Sequence, residues 1–140
     1  MNGDGPASPP VGFLPQAGRG AFSAHNGPFF HRPGVEGAEQ AFFALDRHCN
    51  GVGLIHGGML SAFLDGLLAA AAAQASGATP VTMHLSVGYL DMGKAGDWVT
   101  GAAWATRVTR DIAFVEGEAR MQSRTLARAS GVFKLMRRRT

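Results

Sequence analysis

One stretch of this chain is apolar on every side, and it restricts the folds that the chain can adopt. From Met59 to about Ala75 nearly every residue is a strong helix former, and Gly77 then provides a stop. Methionine, leucine, phenylalanine and five successive alanines leave this predicted helix without a polar face. Such a helix either crosses a membrane or is wrapped by the rest of its own protein.

The predicted helix is about long enough to span a bilayer, so the membrane interpretation has to be tested against its sequence. Asp65 stands near its centre, Gly66 follows, and the stretch is rich in alanine. No basic residues flank it as interfacial anchors. We therefore expect a helix wrapped by its own domain and no membrane partner.

The segments around the helix alternate with the period of β-strands. A first strand is predicted over residues 38–45, and four long strands follow the helix over residues 81–92, 98–108, 112–122 and 126–136. Short polar turns between the last four predict an antiparallel meander. The expected fold is α+β, with one long central helix wrapped by a curved antiparallel sheet of about five strands. Because one sheet covers only part of an all-apolar helix, we expect a second subunit to cover the rest.

Length and composition fit one domain. The chain has 140 residues, of which 46% are hydrophobic and 16% charged. The first twenty residues are crowded with glycine and proline, which predicts a flexible leader over 1–20 and a single domain over 21–140. One cysteine and no apparent secretory signal suggest a cytoplasmic protein. The net charge of +3 comes from basic residues spread along the chain, so no nucleic-acid partner is expected.

Several familiar catalytic motifs are missing from the sequence. It contains no Gly-x-Ser-x-Gly elbow, no phosphate-binding Gly-x-x-x-x-Gly-Lys loop and no His-Glu-x-x-His pair. Gly51-Val52-Gly53 begins like a dinucleotide-binding loop, but His56 stands where the third glycine belongs and no βαβ unit follows. The five histidines have no metal-ligand spacing on one element. We therefore predict neither a metal nor a cofactor.

Two features remain that could support catalysis. His56-Gly57-Gly58 leads into the helix, where backbone N–H groups and the helix dipole suit a developing oxyanion. Asp65 lies inside the helix next to Leu64, where an ionised carboxylate is unfavourable unless it is paired or hydrogen-bonded. Asp65 is thus either a satisfied structural or rim carboxylate, or a catalytic carboxylate whose apolar surroundings raise its basicity.

Helix geometry limits how these two features can cooperate. Nine residues separate His56 from Asp65, which is a rotation of roughly 900° and a rise of about 13 Å. The two residues therefore lie on opposite faces, and one chain cannot bring both to the same substrate atom. Two antiparallel helices at a twofold interface can do so. If both features are catalytic, the site has to be shared between subunits.

The segment from Asn50 to Asp65, NGVGLIHGGMLSAFLD, closely resembles the Asn…His-Gly-Gly…Asp signature of hotdog-fold acyl-CoA thioesterases of the phenylacetate-degradation (PaaI-like) type. The resemblance covers roughly Phe29 to Met136 and includes Tyr89-Leu90, Gly96-Asp97 and Gly131-Val132-Phe133. It implies the hotdog fold and hydrolysis of acyl-CoA thioesters by a homodimer or a dimer of dimers.

The resemblance also implies a role for each matching residue. The N–H of Gly57 polarises the thioester carbonyl, while His56 and Asn50 orient that carbonyl or hold the loop. Asp65 of the other subunit is then the nucleophile or the general base. Thr82 is either a hydroxyl that positions the attacking water or simply a β-branched strand residue, and Asn50 is alternatively a plain turn residue. The residues predicted to bind the substrate are Gly58, Met59, Phe63 and Tyr89.

Two other functions remain open at this point. Hotdog dehydratases and hydratases also combine a histidine with a carboxylate, but they usually have a longer spacing and a proline-rich segment between the two. A non-catalytic acyl-CoA-binding or assembly module with the same fold is the second alternative, because fold alone does not determine function.

Overall fold

The computed structural model describes residues 8–137, and it places one long helix against one seven-stranded antiparallel sheet. The N-terminal elements are β1 (Leu14–Pro15), α1 (Ala21–Asn26), β2 (Phe29–His31), β3 (Ala38–Phe43) and a 3₁₀ turn (Asp46–His48). The remaining elements are α2 (Gly57–Ser76), β4 (Thr79–Tyr89), β5 (Trp98–Val108), β6 (Ile112–Met121) and β7 (Arg124–Met136). The fold class expected from the sequence is confirmed.

The sheet differs from the expected one in strand number and strand order. Its order is β1-β2-β3-β5-β6-β7-β4, with seven strands instead of about five. The two additional strands are β1 and β2, which are only two and three residues long. The predicted four-strand meander is wrong for β4, which pairs with β7, whereas β3 occupies the place beside β5. Turn residues show that the chain reverses, but they do not show which free edge the next strand joins.

Helix α2 buries its large side chains against the sheet. It packs against β3 through β7. The buried residues recur at intervals of three and four and are Met59, Leu60, Phe63, Leu64, Leu67, Leu68, Ala71 and Ala72. By length and composition α2 could cross a membrane, but here it is the core helix of the domain. It ends at Gly77, whose φ of 71° is a left-handed conformation that favours glycine.

The opposite side of α2 is covered only in part. Six of its partly or fully exposed residues are small apart from one carboxylate, and we call them the small-residue face: Gly58, Ser61, Ala62, Asp65, Gly66 and Ala69. This side of the helix has no large apolar side chain that needs burial. It allows another backbone, or a ligand, to approach the helix closely.

Strand β4 forms one edge of the sheet and exposes large apolar side chains. Val81, Met83 and Tyr89 are 50%, 60% and 53% exposed. Its pairing with β7 leaves the other edge of an eleven-residue strand without a neighbour among the described residues. Such an edge favours pairing with a further strand.

The described part of the predicted leader contacts the domain. Strand β1 pairs with β2, and Phe13 is buried beneath the guanidinium of Arg32, which lies 4.7 Å from the ring centroid. Residues 1–7 of the predicted leader lie outside the described residues. The flexibility predicted for the leader stays a prediction.

The close approach of α2 to β5 generates a prediction about stability. A Cβ at Gly101 would lie 2.6 Å from Cδ2 of Leu67 and 2.8 Å from Cε2 of Phe63, and both of those side chains are buried. We expect Gly101→Ala to lower the free energy of unfolding by about 1–3 kcal/mol, because it overpacks this interface. Chemical denaturation monitored by circular dichroism measures the change.

The matched control is Gly88→Ala on β4, where a Cβ would meet no atom within 4 Å. This substitution should leave the unfolding midpoint nearly unchanged. Equal losses from the two substitutions would contradict the packing explanation.

Candidate active site

One row of residues on α2 faces strand β4. Gly57, Ser61 and Asp65 recur at four-residue spacing, and each contacts a β4 side chain. Thr82 donates a hydrogen bond from Oγ1 to Oδ1 of Asp65 at 2.6 Å. The Tyr89 hydroxyl donates to the carbonyl oxygen of Gly57 at 2.9 Å and also contacts the Ser61 hydroxyl. The site thus lies along the line where the helix meets the edge strand.

A β-bulge in β4 directs Thr82 towards the helix. Thr82 pairs with Phe133 and His84 with Val132, so Met83 is an extra residue in the strand. Strict alternation along the strand would put Thr82 on the face opposite Tyr89. With the extra residue, both side chains reach α2.

Asp65 is partly buried, and its carboxylate has a cation nearby that the sequence analysis did not single out. Arg19, in the segment predicted as a flexible leader, lies across α2 so closely that a Cβ at Gly66 would collide with its guanidinium. Burial lowers the pKa of Arg19, and the negative charge of Asp65 opposes that shift. A single arginine in a glycine-rich segment gives no sequence signal that would connect it to Asp65.

The N-terminus of α2 is capped by the side chain that precedes it. Nδ1 of His56 accepts the N–H of Gly58 at 2.8 Å, so the ring satisfies one of the free helix donors. The N–H of Gly57, the first helical residue, has no acceptor among the described residues. Of the two predicted oxyanion donors, Gly57 is therefore available, whereas the Gly58 N–H is already used. The cap also explains why α2 begins two residues before the predicted start at Met59.

Asn50 organises the loop before the helix. Its Oδ1 accepts the N–H groups of Val52 at 3.0 Å and Leu54 at 3.1 Å. This is the turn role that the sequence analysis left open. The amide NH₂ of Asn50 makes no hydrogen bond within the described residues, so it can donate to a ligand.

His48 ties this loop to neighbouring segments through hydrogen bonds of its ring and its carbonyl. Its ring is 3% exposed; Nδ1 accepts the N–H of Leu45 at 3.1 Å, and Nε2 lies 2.8 Å from the carbonyl oxygen of Asn26. Its own carbonyl accepts the N–H of His56 at 2.9 Å. Burial lowers the pKa of His48, so the neutral ring is favoured in the folded chain.

The two predicted pocket residues with large apolar side chains lie mainly in the core. Phe63 is 1% exposed and packs against Phe42, with 5.0 Å between ring centroids. It also borders a cavity of about 180 Å³ that Asp65 lines. Met59 is 7% exposed and borders a second cavity, of about 220 Å³, beside His56.

Within one chain the structure does not bring the helix N-terminus and the carboxylate together. Gly57 and Asp65 are separated by eight residues of α2, a rise of about 12 Å. Between residues 8 and 137, no group of three or more His, Cys, Asp or Glu side chains is placed to hold a metal ion. The groups that this site offers for chemistry are the carboxylate, the hydroxyl and the backbone donor.

Comparison with known proteins finds a matching family and a related sequence. Residues 52–127 match the family described as the Thioesterase superfamily. The chain is 33% identical over 131 residues to PA0474 of Pseudomonas aeruginosa, whose name gives it as a predicted esterase; the match covers 90% of this chain and 96% of that protein.

Solved structures show the same fold. A Ralstonia eutropha protein, named as a predicted thioesterase related to phenylacetic acid degradation, superposes with a TM-score of 0.76 at 27% identity, covering 85% of this chain and 92% of that one. The protein smu.793 of Streptococcus mutans, solved bound to acetyl CoA, superposes with a TM-score of 0.70 at 21% identity, covering 75% and 85%.

The buried ring of His48 predicts a pH dependence of stability. Its pKa is lower in the folded chain than in the unfolded one, so the unfolded state binds more protons below about pH 6.5. The free energy of unfolding should therefore fall as the pH drops through 6.5, by at most about 1.4 kcal/mol per pH unit for one group. Denaturation between pH 7.5 and 5.5 measures this slope.

His48→Gln should reduce that slope, because it removes the titrating ring. His25→Gln on α1 is the control, since His25 is exposed and its replacement should leave the slope as in the parent. A slope that is the same in all three proteins would show that another group titrates.

Proposed function

This chain belongs to the thioesterase superfamily and is a thioester hydrolase with the hotdog fold, and we propose that its substrates are acyl-CoA thioesters, which it hydrolyses to the free acid and CoA. The observation that carries the proposal is the 2.6 Å hydrogen bond from Thr82 to Asp65 on the small-residue face of α2. An acetyl CoA ligand in a protein of the same fold supports CoA thioesters as the substrate class.

We assign Asp65 the role of general base. Thr82 donates to Oδ1, so Oδ2 is free to accept a proton, and the Thr82 oxygen can still accept a hydrogen bond from water. A water held between the two residues attacks the thioester carbon as its proton passes to Asp65. The tetrahedral intermediate then collapses, the C–S bond breaks, and the CoA thiolate leaves and takes up a proton.

The helix N-terminus stabilises the negative charge that develops on the carbonyl oxygen. The N–H of Gly57 has no acceptor between residues 8 and 137 and lies at the positive end of the α2 dipole, so it suits that oxygen. The Tyr89 hydroxyl holds the carbonyl of the same residue and thereby orients the first turn. The amide of Asn50 gives a second donor next to it.

Base and oxyanion donor come from different subunits in this proposal. Their separation of about 12 Å along one helix is too large for a single thioester. A homodimer in which two α2 helices run antiparallel, small-residue face to small-residue face, would bring Asp65 of one copy to Gly57 of the other. The exposed apolar edge of β4 supports this assembly, because a second β4 can pair with it.

The role of Asp65 is tested by release of free thiol from acyl-CoA. Asp65→Asn keeps the shape of the side chain but removes the base, so kcat should fall by about 10²-fold or more. Thr82→Val should lower kcat in the same direction but less, because it removes only the hydroxyl that orients the carboxylate and the water. The matched control is Asp111→Asn, because the Asp111 carboxylate is exposed in the β5–β6 turn. The kcat of this variant should equal that of the parent.

Two results would contradict this assignment. An unchanged rate in folded Asp65→Asn would remove Asp65 from the mechanism. A parent protein that binds acyl-CoA but frees no thiol would instead identify a non-catalytic binding module. In ¹⁸O-labelled water a general base leaves no label in the protein, whereas label found in Asp65 would identify it as the nucleophile.

Subunit mixing tests whether the site is shared. Asp65→Asn and Asn50→Ala homodimers should each be impaired, whereas a heterodimer contains one intact site built from one residue of each chain. After equal mixing and full exchange, thiol release should recover to about a quarter of the parent activity, since half of the dimers carry one site of two. The absence of recovery, with exchange shown by native mass spectrometry, would place the whole site in one chain.

A further inference from the structure

The cavity beside Asp65 has a cationic end. Its volume is about 180 Å³, and its lining includes Arg19, Phe22, Phe29, Phe63 and Asp65. Three of its walls are aromatic, and the guanidinium carbon of Arg19 lies 5.8 Å from the centroid of the Phe29 ring. The carboxylate and the guanidinium thus border the same small apolar space.

Arg19 has spare hydrogen-bonding capacity. Its Nη1 donates to Oε1 of Gln16 at 2.9 Å and, at a longer 3.4 Å, to Oε1 of Gln40. Within residues 8–137 no carboxylate lies within 4.0 Å of the guanidinium, so Asp65 acts on it only from a greater distance. A partly buried arginine without a paired anion is a recognition element for carboxylates.

Gln40, which accepts from Arg19, is itself incompletely satisfied. It is 1% exposed, and its Nε2 has no hydrogen-bond partner in the described part of the chain. It lies on β3 opposite Gly101, on the side of the sheet that faces α2. A buried amide donor without a partner is rare in folded proteins and calls for an acceptor. Gln40 itself does not line the cavity; its Oε1 holds the guanidinium of Arg19, which is the donor group that faces the cavity.

We propose that this cavity binds the acyl part of the substrate and that Arg19, supported by Gln40, recognises a carboxylate at its far end. The preferred substrates are then short ω-carboxyacyl-CoA thioesters, the monothioesters of small dicarboxylic acids. This inference rests on the proposed function, because the thioester carbon has to lie at Asp65 while the chain points towards Arg19. The carboxylate supplies the anion that Arg19 lacks, and the aromatic walls contact the methylene groups.

The test compares two acyl-CoAs of equal chain length, glutaryl-CoA and pentanoyl-CoA. The parent protein should hydrolyse glutaryl-CoA with a kcat/KM at least tenfold higher. In Arg19→Gln the ratio of the two kcat/KM values should fall to about one or below, because the anionic chain then faces Asp65 without a cation. Arg19→Lys should keep part of the preference, and Gln40→Leu should lower the ratio without lowering the melting temperature.

Arg110→Gln is the matched control, since it removes the same charge from an exposed side chain in the β5–β6 turn. Its ratio should equal that of the parent. A parent ratio near one would overturn the inference. Equal losses on both substrates in Arg19→Gln would also overturn it, since Arg19 would then act through Asp65 and not on the acyl chain.

These outcomes separate this inference from the proposed function. If both substrates are hydrolysed with equal efficiency and the reaction depends on Asp65, only the preference for a carboxylate is refuted. Should neither substrate release thiol, thiol release from other acyl-CoAs tests the proposed function, and calorimetry with Asp65→Asn protein decides the inference. The inference is supported if Asp65→Asn protein binds glutaryl-CoA more tightly than pentanoyl-CoA and if adding Arg19→Gln removes this difference. Equal affinities of Asp65→Asn protein for the two ligands would overturn it.

Discussion

The packing of α2 on one face of a single sheet is the constraint on which the rest of the structure depends. Its large apolar side chains are buried against the strands, and its small-residue face carries one carboxylate. Asp65 lies at the margin between these regions, close enough to β4 to accept from Thr82. An acidic group on the buried side of the helix would lose its solvation, whereas one on the side away from β4 would lie out of reach of Thr82.

Features specified by local sequence were predictable. The composition of residues 59–75 predicts α2, and alternation predicts β5 over 98–108, the range that the structure shows. The central carboxylate and the His-Gly-Gly turn were recognisable because helix formation fixes their separation. Each prediction depends on neighbours within one or two turns of chain, where propensity and periodicity carry the information.

Features specified by distant parts of the chain were not predictable. Strand β4 joins β7, about fifty residues later, because the sheet edge at β5 is already occupied by β3. The extra residue at Met83 appears only when β4 is aligned with β7. The approach of Arg19 to Asp65 joins two segments more than forty residues apart, and the glycine-rich context of Arg19 is typical of a free leader.

The bulge at Met83 makes the site sensitive to chain length as well as to side-chain chemistry. Side chains before and after it face α2 only because the strand contains one residue more than its partner. A deletion of one residue there would restore regular pairing and turn either Thr82 or the Leu85–Tyr89 half of the strand away from the helix. Insertion or deletion of a single codon in β4 therefore changes which side chains face α2. By this route, proteins of this fold could gain or lose a hydroxyl beside the carboxylate without substituting any residue.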